Sequence, residues 1–203
     1  VEVPILENGK TNDINGFFSI QHMTHFSRNS LHNCLKLAGW KIKEYETLDY
    51  NAYRILATPD KENSSDHSMK GAVSGWVKVN ETMRARYIAI GEIENVIREI
   101  PNYDRFVIWG GGAHIEFLYQ LTSLFHTNRK TEFVIVDSDP IKHGKTWRGI
   151  PIYDPSIIKS LDWSSSSLLI SSYASQDSIF EAAGRLNVPT SNIIRFYETI
   201  SRY

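Results

Sequence analysis

The sequence predicts an α/β protein whose C-terminal half is a small doubly wound parallel sheet. Three observations carry that reading. The apolar run Phe106-Val-Ile-Trp109 ends in Gly110-Gly-Gly112 and passes straight into a helical pattern. A second apolar run, Phe133-Val-Ile-Val136, ends in Asp137. Beyond it, strand-like and helix-like stretches alternate to the end of the chain. Strand, glycine turn, helix, strand and acidic residue is the order of the first βαβ unit of a nucleotide-binding, Rossmann-like sheet. Continued alternation implies parallel strands joined by right-handed crossovers.

Within residues 103–203 the elements follow in order. Phe106–Trp109 is a continuous apolar strand, and Ala113–Phe125 has helical spacing behind the glycines. Phe133–Val136 is the second strand, and Ile150-Pro-Ile152 forms a short third. Pro155–Leu161 reads as a helix with proline in its first turn, and Leu168–Ser171 as a strand. Ser175 opens a helix that runs to Leu186, and Ile193-Ile-Arg-Phe196 closes the sheet.

Residues 1–58 have a different order. Val1–Leu6 starts as a short strand and gives way to a polar stretch, Glu7–Asn15. Ser27 caps a helix in which Leu31, Cys34, Leu35 and Ala38 recur at helical spacing, with Gly39 as its stop. That pattern places Cys34 as a small buried hydrophobe. Trp40–Tyr45 alternates apolar and charged residues, as a half-buried strand does, and Tyr53–Ala57 forms its antiparallel partner. Residues 59–102 join the two parts. Pro59–Gly75 is a linker by composition, and Trp76–Ile100 is a bridging helix. Val79, Met83, Tyr87, Ile90, Ile93 and Ile97 form its apolar stripe, and Pro101 ends it.

Composition narrows the classes. A net charge of -1 provides no general attraction to nucleic acid or to an anionic membrane surface. A single cysteine excludes a disulfide framework. No run approaches the ~20 apolar residues of a membrane span, and no signal peptide is recognisable. A cytoplasmic protein acting on a small molecule is therefore expected, with homo-oligomerisation left open. The chain opens on Val1-Glu-Val-Pro4 without methionine, from which a longer parent is expected.

The candidate ligand residues gather around the glycine loop. Gly110, Gly111 and Gly112 let the backbone turn sharply, and the amides opening the next helix carry partial positive charge. A phosphate or carboxylate is the ligand such a loop suits. The loop is equally compatible with a tight strand-to-helix turn that binds nothing. Ile115 stands at the position of the third fingerprint glycine, which argues against full NAD binding and an NAD-dependent oxidoreductase. His114 is a candidate anion contact, and Glu116 is favoured by the helix dipole alone. Asp137 is placed to accept hydrogen bonds from ribose hydroxyls. Lys142, His143, Lys145 and Arg148 follow in a cationic stretch that suits phosphates, or forms a solvated connection. In the first segment Gln21-His22-Met23-Thr24-His25 is the most chemical stretch. His22 and His25 lack the further ligands of a zinc site, so no metal is expected, and a general-base role suits histidine better.

The stretch from Gln21 to Leu31, then Leu37-Ala-Gly-Trp40, then Ala52-Tyr-Arg-Ile-Leu-Ala57, resembles the end of the catalytic domain of class I S-adenosylmethionine-dependent methyltransferases. The sugar C-methyltransferase-like enzymes are the relatives it is most similar to. Trp109-Gly-Gly-Gly-Ala-His114, Val136-Asp-Ser-Asp-Pro-Ile-Lys-His-Gly144 and Gly149-Ile-Pro-Ile-Tyr-Asp-Pro155 resemble the Rossmann-like domain appended to such enzymes. The resemblance implies methyl transfer to a nucleotide-linked sugar or similar acceptor, with residues 1–58 as the closing helix and strands of the catalytic sheet and the Rossmann-like domain contributing to substrate binding or assembly. It places His22 at the substrate end of the active site as a base, beside Gln21 and His25. Gln21 stands where the family often has glutamate, and Asn51-Ala52 where some relatives have a His-Gly-Gly-Ser run, so C-methylation, O-methylation and an inactive remnant all stay open. It also implies that S-adenosylmethionine binds a glycine loop belonging to earlier strands, so that this chain alone holds no cofactor. A non-catalytic nucleotide or nucleotide-sugar binding module is the alternative.

Overall fold

The computed structural model describes residues 1–8, 12–14, 24–48, 52–60, 72–126 and 131–200. The chain divides into two compact units, residues 1–88 and 89–202.

The first unit contains β1 (Glu2–Val3), α1 (Arg28–Leu37), β2 (Trp40–Leu48) and β3 (Ala52–Pro59). The sheet order is β1-β3-β2, with β3 antiparallel to both neighbours. Ser27 caps α1 as expected: its hydroxyl accepts the Ser30 amide while Ser30 accepts the Ser27 amide. A further contact comes from afar, since the Glu7 carboxylate accepts the Arg28 amide at 3.0 Å. Gly39 ends the helix at φ +78°, a conformation that favours glycine. Ile5, Leu31, Tyr53 and Ile55 form the core, with Val3, Phe26, Leu35, Ile42 and Ala57 packed against it.

Two expectations about this unit need correction. Cys34 is exposed, because the buried stripe of α1 follows Leu31 and Leu35 and leaves Cys34 outside it. Strand β2 is an edge strand with a bulge between Ile42 and Glu44, and it is more exposed than its alternation predicts. The bulge interrupts the period of two on which a half-buried face depends.

Helix α2 (Ala72–Glu99) begins earlier than the sequence predicts, within the stretch read as linker; residues 61–71 lie outside those described. Its buried positions include Thr82, Ala89, Ile93 and Ile97. Tyr87 is 69% exposed, so the buried stripe runs beside the expected one over the middle of the helix.

The second unit holds β4 (Arg105–Trp109), α3 (Ala113–Leu121), β5 (Glu132–Val136), β6 (Thr146–Trp147), β7 (Ile150–Tyr153), β8 (Ser166–Ile170), α4 (Gln176–Arg185) and β9 (Ile193–Ile194). Its sheet order is β6-β7-β5-β4-β8-β9. All neighbours are parallel except the β6–β7 pair. Taken in chain order, the parallel strands run third, second, first, fourth, fifth, with the direction of winding reversing between β4 and β8. This unit is Rossmann-like.

Its central strands are apolar without alternation because both faces are covered; β8 is buried along its whole length. Val107, Trp109, Val136, Ile158, Leu168, Ala183 and Val188 form one cluster of the core. Helix α3 stops at Leu121, four residues short of the expected end. The Thr122 hydroxyl donates to the Leu118 carbonyl at 2.6 Å, and the Ser123 amide and hydroxyl both donate to Glu94 of α2. The segment Pro155–Ser160, expected as a helix, is a 3-10 turn opened by Asp154. The hairpin strand β6 has no sequence signal beyond the β-propensity of Thr146-Trp147.

Candidate functional site

In open α/β sheets ligands bind outside the carboxyl ends of the strands, where the winding reverses. That place lies here between the loops leaving β4 and β8. The two loops are in close contact. A Cβ on Gly110 would stand 2.5 Å from the Ser171 carbonyl oxygen, and Gly110 has φ +119°, so only glycine fits. A Cβ on Gly111 would come within 3.0 Å of Ile152 and 3.3 Å of Ile135. Packing thus accounts for the first two glycines. Gly112 differs: its φ is -104°, and the nearest atom to its missing Cβ is Lys142 Nζ, 3.8 Å away. It leads into α3 with no side-chain cap. The start of α3 is therefore open on the side where Lys142 lies.

Asp137, at the end of β5, organises this edge. Its Oδ2 accepts the Gly111 amide at 2.7 Å and Lys142 Nζ at 2.8 Å, while Oδ1 accepts the Asp139 amide at 2.9 Å. Burial by itself would raise its pKa, but these three hydrogen bonds outweigh burial and hold the carboxyl below its ordinary value. The Lys142 side chain is one-third exposed, and ion pairs of this kind contribute about 1 kcal/mol or less. His143 donates from Nε2 to the Asp137 carbonyl at 2.8 Å and so pins the turn.

His114 does not face the crevice, contrary to expectation. It is 4% exposed, with Nδ1 at 3.1 Å from the Ser171 hydroxyl and Nε2 at 2.7 Å from the Tyr197 hydroxyl. Gln176 completes this buried cluster: its amide donates to the Tyr197 carbonyl and its oxygen accepts the Tyr197 amide. Burial pushes the His114 pKa down to about 3, so the ring is neutral. His114 is a strut between α3, the end of β8 and the segment after β9.

Glu116 and Arg148 are likewise engaged with each other. Arg148 donates to both Glu116 oxygens, and its guanidinium lies 3.9 Å from the centre of the Tyr119 ring. Trp147 Nε1 adds a third donor at 3.2 Å. The hydrogen bonds from Arg148, then Gln120, hold the Glu116 pKa down to about 2. Arg148 has φ +48°, an uncommon conformation for a side-chain-bearing residue.

The structure thus brings Gly110, Gly111, Gly112, His114, Asp137, Lys142 and His143 to one edge of the second unit. Gln21 and His22 lie outside the described residues. His25 lies in the first unit, just before Phe26, which bridges to Ile5. Among the described residues no group of three or more His, Cys, Asp or Glu is placed to hold a metal ion. Among them, too, no helix is long and apolar enough to cross a membrane. Sequence reasoning missed Ser171, Tyr197 and Gln176. Ser171 had a weak signal, a polar residue closing an apolar strand; Tyr197 and Gln176 had none, because their roles depend on contacts across the fold.

No family model matches this chain, and no curated protein does. Among solved structures it is similar to UDP-D-quinovosamine 4-dehydrogenase from Vibrio fischeri, at 23% identity. The match covers 46% of this chain and 77% of that one, with a TM-score of 0.36. The fold assignment stands on the strand order of the sheet itself.

Proposed function

We propose that this chain is the C-terminal portion of an S-adenosylmethionine-dependent methyltransferase, and that its Rossmann-like unit binds the nucleotide part of a nucleotide-linked sugar or similar acceptor. One observation carries the binding half: the open Gly112, the uncapped start of α3 and the Lys142 ammonium meet beside the point where the winding of the sheet reverses. Partial positive charge from the α3 amides and full charge from Lys142 suit a phosphate there. Asp137 beside them suits a hydroxyl-bearing ligand.

The methyltransferase half rests on the resemblance of the sequence and is supported by the order of α1, β2 and β3. Helix, strand, loop, strand is how the family's catalytic sheet finishes. In that reading His22 is the base at the acceptor, with Gln21 and His25 beside it. Among the described residues of the first unit no glycine turn joins a strand to a helix. In that reading S-adenosylmethionine binds a glycine loop belonging to earlier strands, and this chain alone holds no cofactor. The second reading, a non-catalytic nucleotide-binding module, rests on the same crevice and needs nothing from residues 1–88. An NAD-dependent oxidoreductase is opposed by Ile115, which is fully buried where a dinucleotide fingerprint has its third glycine.

Titration of the 15N-labelled chain with UDP-glucose, S-adenosylhomocysteine and NAD tests the proposal. UDP-glucose should shift the amides of Gly111, Gly112 and Ala113, and the other two should not. Saturable S-adenosylhomocysteine binding would contradict the cofactor assignment, and an unmoved glycine loop under UDP-glucose would remove the binding half. Methyl transfer from labelled S-adenosylmethionine by the whole enzyme, lost in His22→Ala, separates the methyltransferase from the module.

A further inference from the structure

We propose that Lys142 is the specificity residue of this crevice, exchanging Asp137 for the phosphate of a ligand and thereby opening Asp137 to a ligand hydroxyl. The inference rests on the nucleotide reading above and narrows it to phosphorylated ligands that also carry a hydroxyl within reach.

Asp137 has three donors, and they are not alike. The amides of Gly111 and Asp139 belong to the backbone and hold the carboxylate in place whatever its third partner does. Lys142 reaches it on a flexible stem, and its side chain is one-third exposed. The backbone under that stem is fixed. The Lys142 amide donates to the Asp139 carbonyl, and the neighbouring Ile141 amide donates to the Asp139 side chain. The ammonium therefore swings from a rigid turn, and its present position is already 3.8 Å from the empty Cβ site of Gly112. A small movement carries it from Asp137 to an anion over the start of α3.

The other cations of the stretch are less suited. Arg148 is committed to Glu116 and Tyr119, and His143 to the Asp137 carbonyl, with Asp154 at 4.0 Å from its other nitrogen. Lys145 is exposed, and the donors to Asp137 are Gly111, Asp139 and Lys142 instead. A carboxylate offers about four acceptor positions. When Lys142 leaves, the Oδ2 position it held is free while both backbone donors keep the group ionised and oriented. A ligand with phosphate and hydroxyl satisfies both ends of the broken pair. A nucleoside lacking phosphate cannot draw the lysine away, and the Oδ2 position held by Lys142 stays closed to it.

The test compares UMP with uridine, titrated by amide chemical shifts into the wild-type chain, Lys142→Met and Lys142→Arg. The wild type should bind UMP at least tenfold more tightly than uridine. Lys142→Met should lose that preference while still binding uridine, and Lys142→Arg should keep most of it. A full UMP preference in Lys142→Met overturns the assignment of Lys142. Failure of the wild type to bind either compound overturns the nucleotide reading itself, so the two failures are distinguishable. The amide spectrum of Lys142→Met reports directly whether the turn is intact, and Lys142→Arg keeps the charge if methionine disturbs it.

Discussion

The imidazole Nε2 of His114 and the hydroxyl of Tyr197 lie 2.7 Å apart, joining the start of α3 to the segment that follows β9. With Ser171 on the other ring nitrogen, one buried side chain ties together three parts of the fold that are far apart in sequence. Four expectations follow from this contact and from other features of the two units.

His114 makes the second unit acid-sensitive. Its folded pKa, about 3, lies below the ordinary 6.5, so the native state favours the neutral ring. The stabilisation is present above pH 6.5 and is lost as pH falls from there toward 3. The loss is about 2 kcal/mol between pH 7 and pH 5. Amide exchange of β4 and β8 at the two pH values measures it, and equal protection would refute the assignment. Tyr197→Phe leaves Nε2 unsatisfied and should cost about 1–3 kcal/mol in the same measurement.

Substitutions at the glycines of the loop should differ sharply. Gly110→Ala meets both a positive φ and a 2.5 Å approach to the Ser171 carbonyl. A destabilisation of about 3 kcal/mol or more is expected from the combined strain and clash. Gly112→Ala has an ordinary φ and meets only the Lys142 ammonium, at an ordinary contact distance of 3.8 Å, and should change stability by less than about 1 kcal/mol. It should nevertheless weaken UDP-glucose binding. Denaturation midpoints set beside binding titrations separate the two effects.

The Glu116–Arg148 pair predicts a titration. Glu116 should titrate near 2 in the wild type and move up toward 4.5 in Arg148→Met, as followed by its side-chain carbon shift. The sign is that of a depressed carboxyl: its contribution is present above 4.5 and fades as pH falls toward 2. Because the pair is exposed to solvent, high salt should shrink the difference between the two proteins.

Cys34 should be the accessible thiol its exposure implies. The native chain should react with a chromogenic disulfide reagent at a rate close to that of the urea-unfolded chain. Protection of a hundredfold or more would instead place Cys34 in a buried position.

How much was legible in advance depended on how local the cause was. The strands at Phe106–Trp109 and Phe133–Val136, the glycine turn between strand and helix, and Asp137 at a strand end were readable because each is signalled by adjacent residues. Ser27 and Gly39 as helix limits were readable for the same reason: capping chemistry acts over three or four residues. Cys34 and Tyr87 were misplaced because helical spacing gives a period without saying which arc of the helix meets a neighbour. The early end of α3 was hidden because Glu94, which takes Ser123, lies on another helix.

The sequence by itself determined the class of fold and the position of the glycine loop, because apolar runs, turn residues and caps act locally. Only the tertiary structure decided which of those side chains are already engaged within the fold. His114 is turned inward to Ser171 and Tyr197, Arg148 is held by Glu116, and Gly110 and Gly111 are required by packing. Gly112 and Lys142 remain on the accessible side, beside the buried carboxylate of Asp137. The reason is that a side chain's availability depends on which partners reach it first, and those partners come from strands and helices that the sequence places far away.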